Sequence, residues 1–389
     1  MAKFAVLSHV LPPSPSGQAV VLDRILSGVN HEDYCLLTRE NTGPDMVNSF
    51  SLQARYYILP PELVLNCPNI FGLEHIRSIA NILVRILTRK KNILNILRRE
   101  DTTAIVACTG DLADIPAAFL ASRTAHIPFF AYIFDDYVFQ WTGNYRLFAQ
   151  LVAPFIFKHS AGIIGPNEFI CEEYRRRYDV NSTLVRNPCD KNELEKEPYQ
   201  QWPAERGKIK IVYTGAVYHA NYDCFRNLIQ AMESLSEYNL ELHISTAQTQ
   251  EQLETQGIQS KQVFIHSHVP YSDILEQQRK ADILFLPLAF ESPIPEVIRT
   301  SAPGKLGEYL ASGRPVLAHV PSDSFVAYYF NKHQCGWVAD QNDSLELARE
   351  IEKLIVNPEF RSKVTQNARQ QARLDYSPEL ARNQLFTLL

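Results

Sequence analysis

The residues with the clearest chemical pattern lie between Ser301 and Gly313. Ser301 suits a helix N-cap and Gly313 a C-terminal stop, which predicts a short helix over about 302–312. The free amides at the start of such a helix, together with the Lys305 ammonium, form a seat for phosphate. Glu308 lies about 4.5 Å further along the same helix face and could accept both hydroxyls of a ribose. The spacing alone is equally consistent with an ordinary Lys–Glu surface pair.

Glycines follow two of the predicted strands. Gly17 comes after a Pro-rich loop behind the first apolar run, and Gly215 with Ala216 follows the run Ile209–Tyr213. A glycine at the start of a helix permits close approach of the backbone to an anion, so Gly17 is a candidate for contacting a phosphate. A Pro-stiffened turn from strand to helix would explain Gly17 equally well.

Two adjacent carboxylates, Asp135 and Asp136, follow the apolar strand Phe129–Tyr132. One of them could accept a proton from an acceptor hydroxyl or orient it. The other interpretation is helix N-capping, and we expect one aspartate to do each job. The pair lacks DxD spacing, so no metal site is predicted there.

Residues 76–99 form a basic amphipathic segment. They contain seven Lys and Arg and no Asp or Glu, with apolar residues recurring at helical spacing. Such a helix could lie on an anionic membrane surface. It could equally pack its apolar face on a sheet and leave the basic face to solvent.

Composition excludes several classes of protein. The chain has 389 residues, a net charge of −5 and 46% apolar residues, which predicts a globular protein with no nucleic-acid partner. No apolar run is long enough to span a bilayer, and the N-terminus runs directly into a strand rather than a signal peptide. The seven cysteines have no CxxC spacing, so a reducing, cytoplasmic location without a zinc site is expected. There is no GxxxxGK[ST] or GxSxG motif.

Buried strands alternate with helices twice along the chain. This rhythm is typical of doubly wound parallel sheets, and the polar stretch 190–208 separates the two series. We therefore predict an α/β protein with domains at 1–190 and 209–372. Two such domains are expected to face a central cleft.

One segment resembles a known family. It is the nucleotide-sugar signature of GT-B glycosyltransferases, above all of glycosyltransferase family 4, and it reads Pro303-x-Lys305-x-x-Glu308-Tyr309-Leu310-Ala311-x-Gly313-x-Pro315-Val316. The order of elements resembles that family over nearly the whole chain.

The resemblance implies specific roles. Lys305 would hold the donor diphosphate, Glu308 the donor ribose, and Gly17 and Ser301 would line the donor site. His268 falls in a loop that resembles the base-recognition loop, although a packing histidine is the alternative. The C-terminal helix, 376–389, would return to the first domain.

Two features depart from the family. Thr300 stands where a first glutamate is usual, and the cations that normally follow the first donor-domain strand are missing. The groups that stabilise the negative charge of the leaving group would then be Lys305, the amides of Gly215 and Ala216, and His219. Arg299 or a metal are other candidates.

The function expected from these features is transfer of a hexose from a nucleotide diphosphate sugar to a hydroxyl acceptor, a sugar or a lipid-linked glycan. Retention of configuration, no cofactor and a UDP-sugar donor are expected, UDP because it is the commonest donor class. The protein would be cytoplasmic, or peripheral on the inner face of the membrane. The alternatives are a nucleotide-sugar epimerase and a catalytically lapsed binding or scaffold subunit.

Overall fold

The chain forms two compact units in the computed structural model. Unit 1 comprises 1–188 with 378–389, and unit 2 comprises 189–377. The structure describes residues 3–14, 16–39, 52–61, 74–197, 207–267 and 271–389, except for the side chains of 74–76, 271 and 272. His268, one of the expected donor-binding residues, therefore lies outside the described residues.

Unit 1 is built on a seven-stranded parallel sheet in the order β3-β2-β1-β4-β5-β6-β7. The strands are β1 Phe4–Leu7, β2 Tyr34–Thr38, β3 Arg55–Ile58, β4 Ala104–Cys108, β5 Phe129–Tyr132, β6 Gly162–Gly165 and β7 Ser182–Leu184. The inner strands are buried at every position because helices cover both faces of the sheet. Edge strand β3 is only partly buried and polar, so the search for apolar runs does not predict it.

Helices cover both faces of this sheet. They are α1 Gly17–Leu26, α2 Glu74–Arg99, α3 Asp114–Ala125, α4 Gly143–Lys158, α5 Glu168–Tyr178 and the C-terminal helix α15 Pro378–Phe386. Apolar side chains of α2, α3 and α4 share the core on one face, and those of α1 and α15 share the core on the other. Arg382 Nε of α15 donates to the Ile25 carbonyl of α1 at 3.0 Å.

One cation of the basic helix α2 points into the core. Arg89 is only 1% exposed and pairs with both Asp111 and Asp114, the latter at 2.5 Å. Burial, together with the Asp111 carboxylate, raises the pKa of Asp114 to about 7. The prediction of one basic face with seven solvated or lipid-facing cations is therefore wrong for Arg89. Two carboxylates compensate the cost of burying its guanidinium.

Unit 2 contains a six-stranded parallel sheet in the order β10-β9-β8-β11-β12-β13. Its strands are β8 Ile209–Thr214, β9 Leu240–Ser245, β10 Val263–His266, β11 Ile283–Pro287, β12 Val316–His319 and β13 Trp337–Ala339. Its helices are α6 Lys191–Glu195, α7 Tyr222–Ser234, α8 Gln250–Glu254, α9 Tyr271–Lys280, α10 Pro295–Thr300, α11 Leu306–Ala311, α12 Phe325–His333, α13 Ser344–Val356 and α14 Pro358–Asp375.

Both sheets are doubly wound, which confirms the predicted fold class of two Rossmann-like domains. The strand order reverses between β1 and β4 in unit 1, and between β8 and β11 in unit 2. Ligands of such sheets bind beyond the carboxyl ends of the strands at the reversal point. The residues that directly follow these four strands are therefore the first candidates for a functional site.

Candidate functional site

The motif between Ser301 and Gly313 contains a shorter helix than predicted, and this helix starts later. Helix α10 ends at Thr300 with Ser301 as its C-cap, and α11 begins only at Leu306 with Lys305 at the N-cap position. The predicted helix over 302–312 and its Ser301 N-cap are therefore wrong. Pro303 disfavours helical geometry at the residue before it, which accounts for the break at Ala302.

Lys305 lies directly against the end of strand β8. Its Nζ is 3.9 Å from the centre of the Tyr213 ring, a cation–π geometry. A Cβ atom at Gly215 would lie only 2.6 Å from the same Nζ, and Gly215 has a φ of +129° that favours glycine. Two residues that sequence analysis assigned separately to the donor site are thus adjacent.

Gly215 contributes space rather than a hydrogen-bond donor. Its amide donates to the Ser245 carbonyl at 2.8 Å, next to the paired ends of β8 and β9. The Gly215 amide is therefore already hydrogen-bonded within unit 2. This contradicts its expected role as a hydrogen-bond donor to the leaving group. Neighbouring Ala216 is exposed at the same edge, as is His219.

The Lys305 ammonium has no anionic partner in the part of the chain that the structure describes. It forms neither the ion pair with Glu308 that the three-residue spacing allowed nor a hydrogen bond. Desolvation lowers the pKa of Lys305 to about 7, although the Glu308 carboxylate acts in the opposite direction. A desolvated ammonium without a carboxylate partner among the described residues is suited to bind an anion.

Glu308 belongs to a buried polar network. Gln278 Nε2 on α9 donates to Glu308 Oε2 at 3.3 Å and to Thr214 Oγ1 at 3.0 Å. The Thr214 amide in turn donates to the Tyr309 hydroxyl at 3.1 Å. These bonds fix the Glu308 carboxylate relative to the end of β8.

Sequence reasoning missed three residues that shape this edge: Tyr213, Gln278 and Asp223. The Asp223 carboxylate accepts the amides of Phe290 at 2.8 Å and Glu291 at 2.9 Å, which fixes the loop after β11. Tyr213 was detectable, because it is the last apolar residue before Gly215. Gln278 and Asp223 sit in ordinary helical patterns and give no such signal.

At the corresponding edge of unit 1, the two adjacent aspartates differ in environment. Asp136 is buried, accepts the amides of Val138 and Phe139 and pairs with Arg177, so it has the structural task. Asp135 is exposed, and its carboxylate forms no hydrogen bond or ion pair within the described residues. The surrounding protein nonetheless raises its pKa by desolvation, and the Asp136 charge adds to this.

The loops around Asp135 are held by neighbouring strand ends. Thr109 Oγ1, after β4, accepts the Phe134 amide at 2.9 Å and the Asp135 amide at 3.3 Å. Gly17 begins α1, is exposed, and would leave open space around an added Cβ. Among the described residues, no group of three or more His, Cys, Asp or Glu side chains could hold a metal ion.

The fold and this edge define the class of the protein. Two Rossmann-like parallel sheets are the fold of GT-B glycosyltransferases. Residues 196–371 match the family model of the Glycosyl transferases group 1. Unit 2 therefore carries a group 1 glycosyl transferase domain.

Solved structures share this fold at low sequence identity. Anabaena Alr3699/HepE in complex with UDP is 14% identical, with 99% of this chain and 98% of that chain covered and a TM-score of 0.71. Sucrose-phosphate synthase from Thermosynechococcus elongatus is 13% identical, with 100% and 98% covered and a TM-score of 0.71. A glycosyltransferase from Rickettsia africae is 13% identical, with 99% and 97% covered and a TM-score of 0.69. No curated protein matches the sequence.

Proposed function

We propose that this glycosyltransferase moves a hexose from a UDP-sugar to a hydroxyl acceptor, with retention of configuration and no cofactor. The observation that carries the proposal is the Lys305 ammonium, which lies beside Gly215 without an anionic partner in the described chain. A diphosphate is the anion that suits it, because Lys acts as a point charge for phosphate. The UDP complex of Anabaena Alr3699/HepE supports uridine as the first base to test.

Glu308 is proposed to bind the donor ribose. Its carboxylate accepts a hydrogen bond from Gln278, and carboxylate oxygens are suitable acceptors for ribose hydroxyls. Gly17, Ala216, Ser301 and His268 complete the proposed donor site.

Asp135 is proposed to act on the acceptor. It is the exposed member of the aspartate pair, and its carboxylate is not used by the hydrogen bonds that hold the loop. It would orient the acceptor hydroxyl or accept its proton, while Asp136 holds the loop.

Calorimetry with UDP, GDP, ADP and UDP-glucose tests the donor site. We expect UDP and UDP-glucose to bind, and Lys305→Ala to weaken binding at least about fiftyfold because the diphosphate loses its cation. Lys332→Ala is the matched control, since Lys332 also lies over a tyrosine ring, at 5.3 Å, but on α12. Unchanged affinity in Lys305→Ala for all of these nucleotides would refute the site.

Product analysis tests the reaction itself. With UDP-glucose and a set of hydroxyl acceptors, we expect a glycoside whose anomeric configuration, read by NMR, matches that of the donor. Asp135→Asn should lower kcat and leave the donor Kd unchanged. Epimerised donor without acceptor would indicate an epimerase, and donor binding without any turnover would indicate a binding subunit.

The acceptor is proposed to be presented at an anionic membrane surface. Ile79, Leu83 and Leu87 form an exposed apolar stripe on α2, four residues apart, and Lys90 and Lys91 follow it. No helix among the described residues is long and apolar enough to cross a membrane.

Helix α4 carries a second stripe of the same kind. Leu147, Leu151 and Phe155 are all exposed, Leu151 to 80%, and Lys158 follows them. Helices α2 and α4 touch each other and bury their other faces in the same core, so both stripes lie on one side of unit 1. Apolar side chains bordered by lysines match the surface of an anionic bilayer.

Vesicle co-sedimentation tests this surface. We expect binding to phosphatidylglycerol-containing vesicles that weakens with salt, and loss of binding in Leu151→Asp. Leu374→Asp is the control, because Leu374 is also an exposed leucine but lies on α14 in unit 2. No binding at low salt would refute the membrane surface. A concentration-dependent dimer would indicate a second copy of the chain instead.

A further inference from the structure

An aromatic ring lies directly beneath the Lys305 ammonium at the end of β8. Tyr213 is the penultimate residue of β8, is 2% exposed, and presents its ring to the Lys305 Nζ at 3.9 Å. No Lys or Arg occurs between Tyr213 and Arg226, so the loop after β8 supplies no cation of its own. The cation at this edge comes from the start of α11.

The position of the Tyr213 ring is fixed from several sides. Its hydroxyl donates to the Ala216 carbonyl at 2.6 Å, and Asn221 Nδ2 donates to the same hydroxyl at 3.3 Å. Phe225 of α7 packs edge-on against the ring, with centroids 4.9 Å apart. The ring therefore cannot turn away from Lys305 without breaking contacts with both the loop and α7.

Among the described residues, the Lys305 ammonium contacts the Tyr213 ring and forms no ion pair. Beside Lys305 lie the titratable groups Tyr213 of β8 and Glu308 and Tyr309 of α11, and no hydrogen bond or ion pair joins any described residue to the ammonium. A long lysine side chain without partners samples many rotamers. A ring held at a cation–π distance restricts it to one place, next to the gap that Gly215 leaves.

We propose that Tyr213 is a positioning residue that holds the Lys305 ammonium at Gly215 before the donor diphosphate arrives. The inference rests on the proposed function, because it assigns a role within that donor site. The ring acts through Lys305 and need not touch the substrate. Affinity arises because the cation is ordered in advance, so that binding does not have to restrict it.

Two variants of Tyr213 separate the contribution of the ring from that of the hydroxyl, and a third variant is the control. Tyr213→Leu removes both, and we expect the Kd of UDP-glucose to rise about tenfold, the scale of a desolvated cation–π contact. Tyr213→Phe keeps the ring, and we expect its Kd to stay within about threefold of that of the unmodified protein. Tyr329→Leu is the control: Tyr329 is a buried tyrosine of the same unit, bonded through its hydroxyl to Asp375, away from Lys305. Its Kd should not change.

A double-mutant cycle tests whether Tyr213 acts through the lysine. In a Lys305→Met background, Tyr213→Leu should raise the Kd of UDP-glucose by less than about twofold over that of Lys305→Met alone. The Kd is measured by NMR at millimolar UDP-glucose. Two outcomes overturn the proposal: Tyr213→Phe binding as weakly as Tyr213→Leu, or Tyr213→Leu losing affinity equally in both backgrounds. If Tyr213→Leu does not fold, as judged by circular dichroism, the Kd of Tyr213→Phe is compared with that of the unmodified protein. A rise of more than about threefold then overturns the proposal. Failure of the unmodified protein to bind UDP-glucose would instead refute the proposed donor.

Discussion

Among single residues, Lys305 decides the properties of the proposed donor site, because its cation is largely removed from water. Burial disfavours the charged form of Lys305, while the Tyr213 ring and the Glu308 carboxylate favour it. The outcome is a lysine that is only about half protonated near neutral pH. A diphosphate that enters the site shifts this balance toward the ammonium, so donor binding and proton binding are linked.

Donor binding should therefore take up a proton above neutral pH. At pH 8 the empty site holds mostly neutral Lys305, since its pKa is about 7, and binding of UDP-glucose should absorb close to one proton. At pH 6 the lysine is already charged and uptake should nearly vanish. Calorimetry in two buffers of different ionisation enthalpy measures this. Lys305→Arg is the control, and uptake that persists in this variant would assign the proton to another group.

Gly215→Ala should damage the donor site more than the fold. The new Cβ would lie 2.6 Å from the Lys305 Nζ and at a φ of +129°, so the lysine must move away and the backbone is strained by about 1–3 kcal/mol. We expect at least a tenfold rise in the Kd of UDP and a lowered Tm. Gly162→Ala is the control, because its Cβ would make an ordinary 3.5 Å contact. Normal UDP affinity in Gly215→Ala would contradict the geometry.

At the scale of elements, one buried carboxylate ties together three parts of unit 1. Glu100, directly after α2, accepts hydrogen bonds from Lys3 before β1 and from Arg55 and Tyr57 of β3. Burial alone would raise its pKa, but these partners lower the pKa of Glu100 to about 2. The polar edge strand β3 is thus anchored by charge as well as by its pairing with β2.

Glu100→Gln should destabilise unit 1 in a pH-dependent way. The pKa of Glu100 is lower in the folded than in the unfolded chain, so its stabilisation is present above about pH 4.5 and is lost as the pH falls toward 2. We expect a loss of about 1–3 kcal/mol at pH 7 that shrinks in acid, measured by urea unfolding. Glu172→Gln, which breaks an exposed pair with Arg175, should cost less than about 0.5 kcal/mol. An equal loss at pH 7 and pH 3 would contradict the assignment.

At the scale of the whole molecule, each unit has its own sheet and its own core. The core of unit 2 contains only residues of that unit, and α15 contributes Ala381 and Leu385 to the core of unit 1. The last helix is therefore part of unit 1, although unit 2 separates it from the rest in sequence.

Truncation should show that the two units unfold independently. A fragment of residues 189–377 should unfold cooperatively and be stabilised by UDP, since it contains Lys305, Gly215 and Glu308. Deletion of 378–389 from the full chain should lower the Tm of unit 1 and leave UDP binding unchanged, because it removes apolar core from unit 1 alone. Differential scanning calorimetry of both proteins measures this. Loss of UDP binding in the 1–377 chain would contradict the division.

The site was only partly predictable from sequence. Lys305, Glu308 and Gly215 were found because glycine, helix and charge signals are local. The pairing of Lys305 with Tyr213 and of Glu308 with Gln278 joins residues that are distant in sequence, so no local pattern contains it. The helix start at 302 was predicted wrongly because Pro303 favours a helix start as well as a break before it.

The doubly wound architecture could be read from the sequence alone, because strands covered on both faces are apolar throughout. The sequence also contained, around Lys305 and Glu308, the segment that resembles the nucleotide-sugar signature of GT-B glycosyltransferases. Only the tertiary structure decided that Asp136 is structural and Asp135 exposed, and that Arg89 is buried. It also left the ammonium of Lys305 on an aromatic ring rather than paired with Glu308. The physical reason is the same in each case: burial and the choice of partner depend on which distant elements pack together.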